Sequence, residues 1–369
     1  MAHIAIDARK YFDFGIGTYV QNLSNALSKL DSPHRYSLLV SEDDFSRVDC
    51  PARWTKEAVH HRKYSLGELF LFGYQVRGFG VDMFHAPHYT LPVGLVGKSV
   101  VTVHDLIHLK FPRYFTAVQK AYARIVLWHV ARNAGAIITG SEHTKRDVVE
   151  TLKVNERKVY SIHHGVQPGF QKVLEPGRIH AFRERFSLRN PYVLYVGNIK
   201  PHKNIPTLLR AFERIAASYK DLDLVFAGEL LSKNNYLTKL VQTLGIGRRI
   251  RDLGHLATEE LVRCYSEAEV LVLPSLYEGF GFTAVEAMAC ETPVVAANTS
   301  SLPEVVGEAG LIFEALDPKS LEDALRTVLS EPQTRRRLAE EGKRNIRRFS
   351  WDQAAQETLR VYETVLNQK

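Results

Sequence analysis

The chain has 369 residues, 45% hydrophobic and 24% charged, with 48 Lys plus Arg against 41 Asp plus Glu and a formal net charge of +7. That length suggests two domains of roughly 150–200 residues each, and the composition excludes a largely disordered chain, a collagen and a disulfide-stapled mini-protein. No apolar run reaches the ~18–20 residues of a membrane span. The opening Met-Ala-His-Ile-Ala-Ile-Asp lacks the basic region, long apolar stretch and cleavage site of a signal peptide, and Cys50, Cys264 and Cys290 form no CxxC pair, which suits reduced thiols in the cytoplasm.

In chain order, short apolar runs lie at His3–Asp7, Tyr36–Val40, Met83–His85, Ser99–Val103, Ala136–Thr139 and Val159–Ile162. A second series follows at Tyr192–Val196, Leu222–Ala227, Ile250–Leu253, Val270–Leu273, Pro293–Ala296 and Gly310–Phe313. Several, such as Val-Val-Thr-Val and Val-Leu-Val-Leu, are apolar almost throughout instead of alternating, as in strands buried on both faces of a parallel sheet. Helical patterns between them, including Thr18–Leu30, Ile205–Tyr219 and Leu321–Leu329, predict βαβ units. Twelve strands exceed one small sheet, so two doubly wound α/β domains of about six strands are expected. The Pro/Gly clusters Gly165-Val166-Gln167-Pro168-Gly169 and Glu175-Pro176-Gly177 mark the boundary, giving domains 1–168 and 169–350. A last helix, Trp351–Leu366, is expected with Ser350 as its N-cap.

Charge is uneven. Residues 1–168 hold 10 Lys and 11 Arg against 15 acidic residues, and 12 of the 15 histidines. A basic first half suits an anionic partner, whether a lipid surface, a nucleic acid or a phosphorylated ligand, and ordinary surface charge is the plain alternative. No long Lys/Arg block, zinc-finger or RNA-binding signature is present, so nucleic acid is not the expected partner.

In open α/β sheets ligands gather beyond the carboxyl ends of the strands, so the residues there carry the chemistry. Pro274–Ala289 runs from a buried strand through the glycine loop Glu278-Gly279-Phe280-Gly281 into a helix near Phe282. Its free N–H groups suit a phosphate. Glu286 sits in that apolar helix and needs hydrogen-bond donors if buried; ribose hydroxyls or a nearby Arg are the two sources weighed. Glu278 on the loop suits sugar hydroxyls. Tyr195–Asn204 places Lys200 and Lys203 after another strand, where one of them neutralises a diphosphate leaving group, unless both are merely solvated. His104-Asp105 follows the strand Ser99–Val103 and suits sugar positioning or a proton shuttle, with strand capping as the alternative. Asp13–Tyr19 contains Gly15 and Gly17 without the third glycine of the dinucleotide fingerprint, so it reads as a flexible loop opening a helix. Asp221-Leu222-Asp223 has the form of a DxD metal motif but precedes its strand, and Asp43-Asp44 has no partner cluster, so no metal is expected.

Glu278 and Glu286 form an E-x7-E pattern within Ser-Leu-Tyr-Glu-Gly-Phe-Gly-Phe-Thr-Ala-Val-Glu-Ala-Met-Ala. With Gly15–Tyr19, His104-Asp105 and Tyr195–Lys203, it resembles the family 4 retaining glycosyltransferases of the GT-B fold, and within them bacterial mannosyltransferases of surface-polysaccharide assembly. The likeness runs from about residue 3 to 366. It implies two Rossmann-like domains facing each other across a deep cleft, the first binding the acceptor and the second the nucleotide-sugar donor, with residues 351–369 crossing back to the first. It implies catalytic roles for His104 and Glu278. Donor binding falls to Gly15, Gly17, Asn198, Lys203, Phe280, Gly281, Phe282, Thr283 and Glu286, with the ribose on Glu286 and the base near Leu253–Leu256. Asp105 and Arg146 are assigned to the acceptor. Many members carry Arg where this chain has Asn198, so diphosphate neutralisation rests on Lys203, helped by Lys200 or Arg146.

The activity so implied is retaining hexosyl transfer, mannose from GDP-mannose or a hexose from a UDP-sugar, to a saccharide or lipid-linked saccharide, by a metal-independent front-face route with no cofactor. The rivals are a nucleotide-sugar 2-epimerase, a non-catalytic nucleotide-sugar binding protein, and a dehydrogenase, the last disfavoured by the missing fingerprint. Lys56–Gly80 and Phe111–Val130 mix basic and aromatic residues. They read as contacts of a cytoplasmic, peripheral enzyme with the anionic inner face of the plasma membrane, or as helices packed on the sheet with charged outer faces.

Overall fold

The fold is taken from a computed structural model that describes residues 1–60, 71–95 and 97–368. It divides into two compact units, residues 1–165 with 350–369, and residues 166–349. Among the described residues the first unit holds seven strands: β1 (His3–Asp7), β2 (Arg35–Ser41), β3 (Thr55–Val59), β4 (Met83–Ala86), β5 (Ser99–Val103), β6 (Ala136–Thr139) and β7 (Val159–Ser161). They form one parallel sheet in the order β3-β2-β1-β4-β5-β6-β7. The second unit repeats this arrangement with β8 (Tyr192–Gly197), β9 (Asp223–Gly228), β10 (Ile250–Asp252), β11 (Val270–Leu273), β12 (Val294–Ala297) and β13 (Gly310–Phe313), ordered β10-β9-β8-β11-β12-β13 and again parallel. In each sheet the order reverses beside its first strand, the topological switch point of a doubly wound fold.

Hydrophobic burial drives this arrangement. Every residue of β5, β6, β11 and β12 is buried, which only helices on both faces permit. In helix Ile205–Ala216, Leu208, Leu209, Phe212 and Ile215 recur at helical spacing and are fully buried. Each contributes about 1.5–3 kcal/mol by leaving water. The thirteenth strand was not visible as an apolar run. In Thr-Lys-Glu-Ala-Val of β3 only Val59 is buried, because the strand lies at the sheet edge and is held mainly by backbone pairing with β2.

Helix Trp351–Leu366 belongs to the first unit and packs on helix Phe14–Leu27. Ser350 caps it, its Oγ accepting from the Gln353 N–H at 3.3 Å. Tyr362 on its buried face lies 2.6 Å from His85 Nδ1. Among the described residues no helix is long and apolar enough to cross a membrane.

One expectation is corrected here. Gly15 and Gly17 do not form a loop ahead of a helix starting at Thr18. The helix begins at Phe14, and the Gly17 N–H donates to the Asp13 carbonyl at 2.6 Å. Gly17 is glycine for a steric reason: a Cβ there would lie 2.3 Å from the Tyr11 carbonyl oxygen. Gly17→Ala is therefore expected to destabilise the first unit by about 1–3 kcal/mol, read as a lower urea midpoint for that unit's transition. An unchanged midpoint would mean that the 8–13 segment shifts without cost.

Candidate active site

The second unit builds its site where β8 and β11 end. β8 closes at Gly197 (φ 148°) against Gly228 (φ 112°), where a Cβ would come within 2.5 Å of the Gly197 carbonyl oxygen. The following loop is held from two sides. The Ile199 N–H donates to Glu229 Oε2 at 2.8 Å, and the Tyr195 hydroxyl donates to the Asn198 carbonyl at 2.6 Å. The side chains of Asn198 and Lys200 are left exposed. The loop tightens into the turn Pro201–Lys203 and then Asn204, in the left-handed region at φ 54°. Asn204 Nδ2 donates to the carbonyls of Pro274 (3.0 Å) and Ala315 (2.6 Å), and the Leu276 N–H donates to the His202 carbonyl at 2.7 Å. These bonds bind the loop after β8 to the loops after β11 and β13.

They bring Lys203 Nζ to 2.5 Å from Glu278 Oε1, an oxygen that also accepts from Ser275 Oγ at 2.7 Å. Lys203 is thus not one of two solvated lysines; only Lys200 is. Burial alone would raise the Glu278 carboxyl, but the Lys203 ammonium and the Ser275 hydroxyl outweigh it and hold it below the usual carboxylate range. Burial and the same ammonium push His202 down to about 4, so it is neutral at physiological pH. Behind the acidic loop, the Glu278 N–H donates to Ser300 Oγ at 2.8 Å. Ser301 Oγ donates to the carbonyls of Glu278 and Phe280 at 3.0 and 2.8 Å.

Gly281, at φ 109° and ψ 53°, starts helix Phe282–Ala289, which has no side-chain cap. That end of a helix attracts anions, and Phe280, Phe282 and Thr283 surround it. Glu286 lies half-buried one turn on, among the buried Ala284, Val285, Ala287 and Met288. Its partner is not an arginine. The Tyr265 hydroxyl donates to Glu286 Oε2 at 2.8 Å. Burial raises the Glu286 carboxyl to about 7, the Tyr265 bond opposing it only in part.

The first unit offers a second cluster, beyond β5. His104 Nε2 donates to the Pro87 carbonyl at 2.9 Å, which leaves Nδ1 as the lone-pair nitrogen. Burial lowers this imidazole to about 4, with Lys10 adding to the effect and the Pro87 bond opposing it. Its ring meets Tyr19 edge-on, centroids 5.1 Å apart. The Tyr19 hydroxyl lies 3.0 Å from Thr102 Oγ1, which also meets His85 Nε2 at 2.8 Å. Asp105 turns to the next element, its Oδ1 accepting the Ile107 N–H at 3.0 Å at the start of helix Ile107–Lys110. Gly15 is exposed in the first turn of its helix, and Arg146 is exposed on helix Glu142–Leu152.

Several functional candidates had escaped the sequence reading. Ser275, Tyr265, Glu229, Ser300 and Ser301 emerge only as partners of named residues. Arg9 and Lys10, both buried, follow β1 directly and were open to the same strand-end rule. Arg9 forms a paired bond to Asp7, Nε–Oδ1 at 2.9 Å and Nη2–Oδ2 at 2.6 Å, and lies 3.9 Å over the Phe72 ring. The acidic pairs serve structure. Asp223 opens β9 at its amino end and is ion-paired with Arg251 (3.2 Å) and Arg249 (3.5 Å). Asp44 accepts from Ser41 and Arg47 at 2.9 and 3.0 Å.

Residues 15–170 match the family model Glycosyltransferase Family 4, and residues 178–345 match Glycosyl transferases group 1. The chain belongs to the family 4 glycosyltransferases. It is 27% identical to the O-antigen chain mannosyltransferase B of Escherichia coli over 290 residues, 78% of this chain and 76% of that protein. It is 32% identical to the MMP alpha-(1->4)-mannosyltransferase of Mycolicibacterium hassiacum over 243 residues, 64% of this chain and 56% of that one. Among solved structures it is similar to sucrose-phosphate synthase of Thermosynechococcus elongatus, with TM-score 0.80, 22% identity and 98% of both chains covered. HepE of Anabaena, solved with UDP-glucose, gives TM-score 0.77 at 17% identity, covering 98% of this chain and 99% of that one. These likenesses show the GT-B fold.

In this glycosyltransferase the Glu286 carboxyl at about 7 makes a pH prediction. If Glu286 holds the ribose, its ionised carboxylate is the better acceptor, and nucleotide affinity is expected to rise as pH increases through 7 and to level above it. Tyr265→Phe removes a bond that favours the charged form and is expected to move the midpoint to higher pH. Glu286→Gln should remove the carboxyl's share of the dependence and leave only that of the nucleotide's own terminal phosphate, whose second ionisation lies at about pH 6. Calorimetric titration with nucleoside diphosphates from pH 5.5 to 9 reads all three, and a wild-type affinity flat across that range would detach Glu286 from the nucleotide.

Proposed function

We propose that this glycosyltransferase transfers mannose from GDP-mannose, with retention of configuration, to a saccharide or lipid-linked saccharide. The observation that carries the reading is the Lys203–Glu278 pair beside the uncapped start of helix Phe282–Ala289. It sets an ammonium, the positive end of a helix and a carboxylate at neighbouring strand ends. A diphosphate with an attached sugar presents the complementary groups, anionic oxygens and hydroxyl donors.

In the reaction the bond from the anomeric carbon to the diphosphate oxygen breaks with its electron pair going to the diphosphate. The acceptor oxygen bonds to the same face of that carbon, and its proton passes to the departing diphosphate. The main electrostatic task is to stabilise the leaving group. Lys203 and the backbone N–H groups at the helix start do this, Glu278 accepts sugar hydroxyls and Glu286 accepts the ribose hydroxyls. His104, neutral with Nδ1 as acceptor, orients a hydroxyl instead of donating a proton. The acceptor falls to the first unit. A metal-independent route is supported by the commitment of Asp223 to two arginines. Three free cysteines, two of them buried, suit a cytoplasmic setting.

Mannose as the sugar is supported by the names of both relatives. A UDP-sugar donor is the second reading, favoured by the neighbour solved with UDP-glucose. Calorimetry with GDP, UDP, ADP, dTDP and NAD⁺ in EDTA separates them. GDP preference is expected. UDP preference would keep the transferase and change the donor, and binding of NAD⁺ alone would overturn the reading. Lys203→Met is expected to lower kcat by about 10²–10³, the scale for losing one charge-stabilising donor, and activity in EDTA should match that without it.

A further inference from the structure

The helix Ala117–Asn133 has two faces of different character. Ala123, Val126, Leu127, Val130 and Ala131 are buried on the core of the first unit. Val118, Ala121, Ile125, Trp128 and Arg132 follow the three-and-four spacing of one outward face. Val118 is 78% exposed, Ile125 66% and Trp128 50%. Large apolar side chains aligned in one exposed stripe mark an interaction surface, whereas the same residues scattered singly need no explanation.

Charge identifies the partner. Between Leu106 and Ser141 there is no Asp or Glu, while Lys110, Arg113, Lys120, Arg124 and Arg132 all fall there. Lys110 is neutralised by an ion pair with Asp147. Lys120, Arg124 and Arg132 share the helix with the stripe, and Arg113 precedes it. The Arg132 guanidinium lies 3.6 Å over the Trp128 ring, and that of Arg113 lies 4.9 Å over the Tyr114 ring. Of the three tryptophans, Trp54 and Trp351 are buried, so Trp128 is the exposed one.

We propose that this face of helix Ala117–Asn133 is a docking surface for an anionic lipid bilayer, with Val118, Ile125 and Trp128 entering the headgroup boundary and Lys120, Arg124 and Arg132 meeting lipid phosphates. Exposed aromatic and aliphatic residues beside cations, with no acidic residue among them, suit such an interface. A second copy of the chain is a poor occupant, because pairing this face with itself would bring cations together with no acidic residue of the same stretch to offset them. The proposal deepens the lipid-linked acceptor reading by placing the chain on the surface where such an acceptor is embedded. The other basic and aromatic stretch of the sequence, Lys56–Gly80, includes residues 61–70, which lie outside the described residues, and it carries none of this argument.

The test uses the full chain and vesicles of phosphatidylethanolamine with phosphatidylglycerol, against phosphatidylcholine alone, without donor or acceptor. Sedimentation with the anionic vesicles is expected, weakened by salt, with a blue shift of Trp128 emission. Ile125→Glu with Trp128→Glu should lower partitioning by tenfold or more. Each of Arg124→Glu and Arg132→Glu should lower it by about fivefold or more, the scale for one cation near an anionic surface. Nucleoside diphosphate affinity, measured in parallel, should match the wild type in all variants and reports that they fold. Because vesicle binding needs no substrate, its failure with nucleotide binding intact sinks this proposal alone. The reverse outcome, vesicle binding without nucleotide binding, sinks the transferase reading alone. No sedimentation at low salt, or sedimentation unchanged in the Glu variants, overturns the docking surface. So does a dimer in solution that Ile125→Glu makes monomeric while vesicles leave the wild type unbound, since the face would then cover a second copy.

Discussion

Strands buried on both faces confine polar chemistry to their ends. In β5, β6, β11 and β12 no side chain reaches water, so an ionisable group within them would bear the cost of desolvation without a partner. All strands in each sheet run parallel, so their carboxyl ends lie along one edge of the unit. There Lys203, after β8, meets Glu278, after the adjacent β11. The ion pair depends on that adjacency, and the adjacency on the reversal of strand order beside β8.

Two carboxylates on one short segment acquire opposite properties from their surroundings. Glu278 and Glu286 both lose water, which disfavours charge. Glu278 gains an ammonium and a hydroxyl and stays ionised, whereas Glu286 gains only the Tyr265 hydroxyl and is raised to about 7. Environment divides the two: a loop carboxylate held toward its charged form, and a helix carboxyl whose charge is set near neutral pH. Bonds donated by Asn204 and Ser301, and one accepted by Ser300, hold the loop backbone that keeps the difference in place.

The first unit handles its polar groups in another way. His104, His85 and His164 are crowded around Tyr19, and burial keeps each imidazole neutral. A neutral imidazole has a fixed donor and a fixed acceptor, so such a cluster positions hydroxyl groups better than it shuttles protons. The Asp223 and Asp44 carboxylates, which share the acidic-pair pattern of metal sites, are taken up by arginines and a serine on their own units.

Much of this was legible in the residues because it follows from local pattern. β1, β5, β6, β11 and β13 lie where the apolar runs placed them, the last helix spans Trp351–Leu366 behind the Ser350 cap, and Phe282 opens its helix. The E-x7-E spacing singled out Glu278 and Glu286, which stand on the expected loop and helix. What the sequence left open depends on neighbours distant in the chain. β3 has almost no apolar signature because edge pairing to β2 holds it. The early start of the first helix depends on the Tyr11 carbonyl folding over Gly17. The outward turn of Ile125 and Trp128 is decided by which face of their helix the sheet covers. Above all, the partners of the two glutamates, Lys203 at 75 residues' separation and Tyr265 at 21, exist only once the strands lie side by side. Residue types and spacing determined which groups stand at the strand ends. Tertiary packing decided which of them touch, and through desolvation and pairing, which of them carry charge.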